Sequence, residues 1–126
     1  MEYVKTDRAP LPVSCYSQAV KVGGFLFISG QVPLDPRTKK LVKGGITART
    51  KQVLENIRTI AEAANSSLSN VVKITIFLKN VEDFKEMNDV YCKYFANNPP
   101  ARTTVQAQPP IAEILIEIEA IASVNQ

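Results

Sequence analysis

The stretch Pro99–Ala122, PPARTTVQAQPPIAEILIEIEAIA, governs how the rest of the chain is read. It holds two strand-like runs separated by Pro109-Pro110. From Ile114 to Ala122 the residues alternate with the period of two that a β-strand imposes on its side chains. Ile114, Ile116, Ile118, Ala120 and Ala122 share one face, and Leu115, Glu117, Glu119 and Ile121 share the other. Two carboxylates are thus set among apolar neighbours. The first run puts Arg102, Thr104 and Gln106 on one face. Paired as an antiparallel hairpin, the two runs admit a register with Arg102 directly across from Glu117, both side chains on one face.

Upstream, Ser17–Val22 and Gly24–Ser29 read as short strands joined by a turn at Gly23-Gly24. Phe25, Leu26, Phe27 and Ile28 form a continuous apolar run, so both faces of that strand should be buried. Gly30 ends it and allows another group to approach the backbone closely. Val32–Lys43, with Pro33, Pro36 and the basic tip Arg37-Thr38-Lys39-Lys40, reads as a solvated loop or loose hairpin. Ile46, Thr50, Val53, Leu54, Ile57, Ile60, Ala61 and Ala64 recur at helical spacing and predict a helix over about residues 47–64. Asn65 is suited to its left-handed cap. Val71–Lys79 predicts a strand with Val72, Ile74, Ile76 and Leu78 on one face. A second helix follows, with Asn80 as N-cap and a core stripe of Phe84, Met87, Tyr91, Tyr94 and Phe95. The order strands, helix, strand, helix, two strands gives an α+β fold with a mixed sheet and two helices on one face. The strands keep apolar residues on the other face as well, which calls for a sheet-on-sheet homo-oligomer.

The 126 residues suit a single domain that buries roughly two-thirds of its unfolded surface. A hydrophobic content of 45%, a charged content of 21% and a net charge of +3 are those of an ordinary globular protein. The basic residues are scattered, which gives little support to a nucleic-acid partner. No run is long enough to span a membrane, and the amino terminus lacks the apolar segment of a signal peptide. A cytoplasmic setting is expected, with a mitochondrial mature form left open. The chain has no histidine and two cysteines, Cys15 and Cys92. Ser-His-Asp and Cys-His nucleophile systems are therefore impossible within one chain, and the usual zinc ligands are missing. Carboxylates, tyrosines, lysines, a thiol or water remain for proton transfer. Cys92 reads as a buried thiol on the apolar side of the second helix.

Two readings of Arg102 and Glu117 compete. In the first they form a salt bridge that fixes register or oligomer. In the second Arg102 offers its planar fork to a small carboxylate while Glu117, raised in pKa by apolar surroundings, handles a water molecule.

Several segments together resemble the YjgF/RidA family over essentially the whole chain. They are Tyr16-Ser17-Gln18-Ala19-Val20, Ile28-Ser29-Gly30-Gln31-Val32-Pro33, Asn70-Val71-Val72-Lys73 with Ile76-Phe77-Leu78, Phe84 with Asn88 and Tyr91, Pro100-Ala101-Arg102, and Ile116 through Ala122. The resemblance implies a chorismate-mutase-like fold and a homotrimer with a central sheet barrel and ligand clefts between subunits. It also implies cofactor-independent hydrolysis of reactive 2-imino acids or enamines, such as 2-iminobutanoate and 2-iminopropanoate, to 2-oxo acids and ammonia. On that resemblance Arg102 matches the residue that clamps the substrate carboxylate and Glu117 the one that positions water. Tyr16, Gly30, Asn88 and Thr104 match positions that line or approach the ligand. The chain departs from the family pattern at Ser14-Cys15, at Thr104, where a cysteine is frequent, and over Gln106–Ile111, which leaves substrate preference open. Alternatives are a keto-acid-binding regulatory trimer without turnover, or RNA cleavage and translation inhibition, which the scattered charge does not favour.

Overall fold

The computed structural model describes residues 1–124. In chain order its elements are β1 (Glu2–Val4), β2 (Ala19–Val22), β3 (Phe25–Gln31), β4 (Leu34–Asp35), β5 (Lys40–Leu41), α1 (Ile46–Ala63), β6 (Val71–Leu78), α2 (Phe84–Tyr94), β7 (Ala101–Gln106) and β8 (Ile116–Ser123). β4 and β5 form a separate small hairpin, and the other six strands make one sheet in the order β1-β2-β3-β8-β6-β7. β8 lies inside the sheet, antiparallel to both β3 and β6. Its isoleucine and alanine row is fully buried beneath the helices, while Glu117, Glu119 and Ile121 face away from them.

The Arg102–Glu117 hairpin does not form. β7 pairs instead with β6, in parallel, with Arg102 opposite Ile74. Glu117 lies opposite Phe77 on the other edge of β6. Parallel neighbours need a crossover, and α2 between β6 and β7 supplies one. The polar sequence ARTTVQ suits an edge, whereas the apolar row of β8 is buried best in the interior of the sheet. Because Ile74 is buried under the helices, its partner Arg102 is on the helix face, and Glu117 is on the opposite, outer face.

Local chemistry sets the element ends. Gly23 and Gly24 both have positive φ, 59° and 82°, as a two-residue hairpin turn matched to strand twist requires. α1 closes in a Schellman arrangement around Asn65 (φ 61°), with the Asn65 N–H donating to Glu62 O and the Ser66 N–H to Ala61 O at 2.8 Å. α2 starts later than the sequence suggests. A 3₁₀ turn over Val81–Asp83 precedes it, and Asn80 makes no side-chain cap bond. In β6 an irregularity between Val71 and Lys73 buries Val71 and turns Val72 outward, against the simple alternation. Cys92 is exposed, as is Cys15. The buried side of α2 is Met87, Val90 and Tyr91, and a residue next to Tyr91 is rotated off that side.

Both helices cover the same sheet face. The core lies between them and the sheet, around Leu26, Leu54, Ile57, Ile76, Met87 and Ile116. The outer face is bare in the single chain. Phe25 and Phe27, expected to be buried, are each 44% exposed there. No described helix is long and apolar enough to cross a membrane.

Candidate active site

The sequence-predicted residues fall into two groups on opposite faces of the sheet. Tyr16, Gly30 and Glu117 share a cleft of about 530 Å³ at the end of the outer face. Arg102, Asn88 and Thr104 lie together on the helix face at the β7 edge.

In the first group, β3 breaks register with β8 between Ile28 and Gln31, which leaves Gly30 at an irregularity beside Glu117. A Cβ at position 30 would collide with Glu117 Oε2 and stand 3.0 Å from its Cδ. With the carboxylate in this position there is no room for a side chain at residue 30. Burial raises the pKa of Glu117, and the nearby Glu119 carboxylate, two residues along the same face, raises it further. Tyr16 stands at the cleft wall and is half exposed.

In the second group, Phe84, Asn88 and Tyr91 recur at i, i+4 and i+7 on α2, so they share one helix face. The Arg102 guanidinium lies over the Tyr91 ring at 4.6 Å and near that of Phe84 at 5.8 Å. Its Nη1 donates to Asn88 Oδ1 at 2.7 Å. The fork is thus held at one nitrogen and backed by aromatic rings, and no described carboxylate forms an ion pair with it. Thr104 Oγ1 is buried on this side without a hydrogen-bond partner.

Gln18 has a structural role that the sequence reading did not give it. Its amide is 2% exposed and tethers the amino-terminal segment. Nε2 donates to Thr6 O, Ala9 O and Pro10 O, and Oε1 accepts from the Thr6 N–H. This holds Pro10 and Leu11 over the cleft as one wall. The signal was a polar residue at an inward position of an otherwise apolar strand start. Asn56 does the same for the β4–β5 side, donating to Val32 O and Leu34 O. Among the described residues, no grouping of three or more His, Cys, Asp or Glu side chains could hold a metal ion.

Known proteins share this fold and much of this sequence. The family model described as endoribonuclease L-PSP matches residues 6–124. A RutC family protein of Pyrococcus horikoshii is 52% identical over 121 residues, 96% of each chain. The 2-iminobutanoate/2-iminopropanoate deaminase of Rattus norvegicus is 41% identical over 119 residues, 94% of this chain and 87% of that one. The solved structure of RidA from an Antarctic Psychrobacter superposes with a TM-score of 0.93 at 41% identity, covering 98% of this chain and 100% of that one. With its mixed sheet, its two helices on one face and a match across nearly its full length, the chain belongs to the YjgF/RidA family.

Proposed function

We propose that the protein hydrolyses 2-imino acids or their enamine tautomers to 2-oxo acids and ammonia, in a homotrimer whose clefts are shared by neighbouring copies. The observation that carries this reading is the Glu117 carboxyl, raised in pKa and packed on Gly30 inside an apolar cleft. The same activity is the name of the rat relative. Arg102 and Glu117 cannot meet within one chain, so the shared site needs Arg102 from a second copy. The bare outer face, with Phe25 and Phe27, supplies the apolar surface for such an assembly.

Arg102 binds the substrate carboxylate and fixes its orientation, a charge-assisted contact of roughly 1.5–3 kcal/mol. Ionised Glu117 takes a proton from water as the water oxygen bonds to C2 of the imine and the C=N electron pair moves to nitrogen. Glu117 then returns that proton to nitrogen, giving a carbinolamine. In collapse, the hydroxyl proton reaches the amine through Glu117, the C–N bond breaks, and ammonia and the 2-oxo acid leave. One water is consumed, Glu117 ends ionised as it began, and no electron acceptor is required. A raised pKa suits this double use, because the group must both accept and donate near neutrality.

The test couples the protein to a threonine dehydratase and follows release of the oxo acid. Arg102→Ala and Glu117→Gln should each be inactive. Co-refolded one to one, they should regain roughly a quarter of wild-type activity, because random mixing places an intact Arg102 beside an intact Glu117 at about one site in four. A mixture as inactive as its parents rules out the shared site. Binding of 2-oxobutanoate by wild type, with no change in imine lifetime, would assign the protein as a binding module instead.

A further inference from the structure

We propose that the cleft is shaped for 2-imino acids with a branched aliphatic side chain of about four carbons, rather than for the methyl or ethyl compounds. This rests on the deaminase reading and names its substrate class.

The cleft lining combines a few polar groups with a larger number of apolar ones. Its chemical end is Glu117 beside Gly30 and Ser29. Three polar side chains on the lining are already engaged: the Gln18 amide holds Thr6, Ala9 and Pro10, Ser29 Oγ donates to Ser17 O at 2.6 Å, and Gln31 Nε2 donates to Ser29 O at 3.1 Å. Apart from these groups and the Glu119 carboxylate, the wall is mainly aliphatic. It comes from three separate segments, with Leu11 and Val13 before β2, Leu34 and Leu41 on the β4–β5 hairpin, and Ile111 and Ile114 before β8. Tyr16 is the one aromatic side chain on the cleft lining, and it sits among these aliphatic side chains rather than forming an aromatic slot.

The backbone of each segment is tethered. Gln18 holds the first and Asn56 the second. The third is held to the rest of the fold by Lys79 Nζ donating to Ala112 O and by Arg49 Nη1 donating to Glu113 O, and Gln108 Nε2 donates within it to Pro109 O and Ile111 O. The third segment is also where the chain departs from the family pattern, over Gln106–Ile111. A cleft of about 530 Å³ would leave most of its wall unused around a three- or four-carbon acid, whereas such volumes hold much larger ligands (roughly 300–1,000 Å³). A second copy closing the mouth reduces that space, but Leu34, Leu41 and Ile114 are fixed by their own chain.

Imines generated in situ from leucine and from alanine by a broad-specificity amino-acid oxidase provide the test, with imine lifetime as the readout. Each buried carbon is worth about fourfold, and three more carbons at partial burial give a preference for the leucine-derived imine of roughly tenfold or more in kcat/KM. Leu41→Ser and Ile111→Ser should each shrink that ratio; Ile111 is 57% exposed, so its replacement leaves the core intact. Calorimetry gives a second readout that needs no turnover, with 4-methyl-2-oxopentanoate binding more tightly than pyruvate. Equal or reversed preference, or equal affinities of the two oxo acids, overturns the inference and leaves the deaminase reading standing. Acceleration of neither imine removes the deaminase reading and this one with it.

Discussion

Replacing Gly30 with alanine separates the chemistry of the cleft from its stability. The new Cβ would collide with Glu117 Oε2 and lie 3.0 Å from Cδ and 3.2 Å from Cγ, closer than carbon atoms pack. Gly30 is not among the positive-φ glycines, so its backbone accepts alanine without strain. Relief must come from the far end of the Glu117 side chain, which can swing at a cost of about 0.5–1.5 kcal/mol in rotamer energy. Loss of glycine freedom in the unfolded chain returns about 0.4–1 kcal/mol. Net stability should therefore change by less than about 1 kcal/mol, a few degrees in Tm. Activity should not survive so well. A carboxylate displaced on the order of 1 Å from its water costs roughly a hundredfold in rate. The assay is kcat/KM for imine hydrolysis beside a thermal melt and a sizing column on the same preparation. An alanine variant that melts and assembles like wild type and keeps activity within about threefold would refute the placement of Glu117 as the proton carrier.

Asn88 accepts a hydrogen bond from Arg102, and in the proposed reading its part is to position that guanidinium, so Asn88→Ala should raise KM roughly tenfold with kcat within about twofold, read from initial rates; a fall in kcat alone would contradict this. For Glu117 the sign follows from its raised folded pKa: between the ordinary carboxylate value and the raised one the folded state binds more protons than the unfolded, so stability falls as pH rises through that window. Glu117→Gln should accordingly melt at a higher temperature than wild type above the window, with the gap closing toward pH 4, while losing activity; a gap that does not depend on pH would show that burial does not act on this carboxyl. Gln18→Leu leaves the Thr6, Ala9 and Pro10 backbone groups unpaired and should cost about 1–3 kcal/mol in urea unfolding, with faster hydrogen exchange at Thr6; an unchanged midpoint would deny the tether.

Periodicity made much of this fold legible. The isoleucine row of β8, the α1 stripe, the Gly23-Gly24 turn and the Asn65 cap all follow from local rules that tertiary contacts did not override. The misassigned strand pairing was not local. β7 and β8 are neighbours in sequence and both look like strands, but hydrogen-bond partners in a sheet are chosen by which edges remain and which faces need covering. The β6–α2–β7 crossover occupies one edge of β6 and leaves the other to β8. The same competition misled the reading of Val72, where one irregularity reversed the alternation, and of Cys92, one position off the buried stripe. Arg102, Glu117 and Gly30 stood out by pattern, Tyr16, Asn88 and Thr104 by resemblance, and the structure adds what no single-chain pattern carries: they divide between two faces. The spacing of Phe84, Asn88 and Tyr91 was visible, but its meaning as a cradle depends on β7 lying alongside α2.

That division bears on the competing salt-bridge reading. A guanidinium and a carboxylate paired within one chain would neutralise each other, lower the pKa of Glu117 and leave neither free for a ligand. Here the sheet stands between them, and the pKa of Glu117 is raised because burial and Glu119 act on it with no cation in opposition. Arg102 in turn spends one nitrogen on a neutral amide and rests on aromatic rings, which orient the fork without cancelling its charge. In the proposed assembly, Arg102 of a second copy faces the cleft, and a substrate carboxylate lies between the two charges. The anion then satisfies the guanidinium and keeps it from stabilising the ionised form of Glu117, so the proton affinity needed for turnover is preserved at the moment of binding. Within one chain the sheet thus keeps the two groups from neutralising each other, and in the proposed assembly the substrate carboxylate is what comes between them.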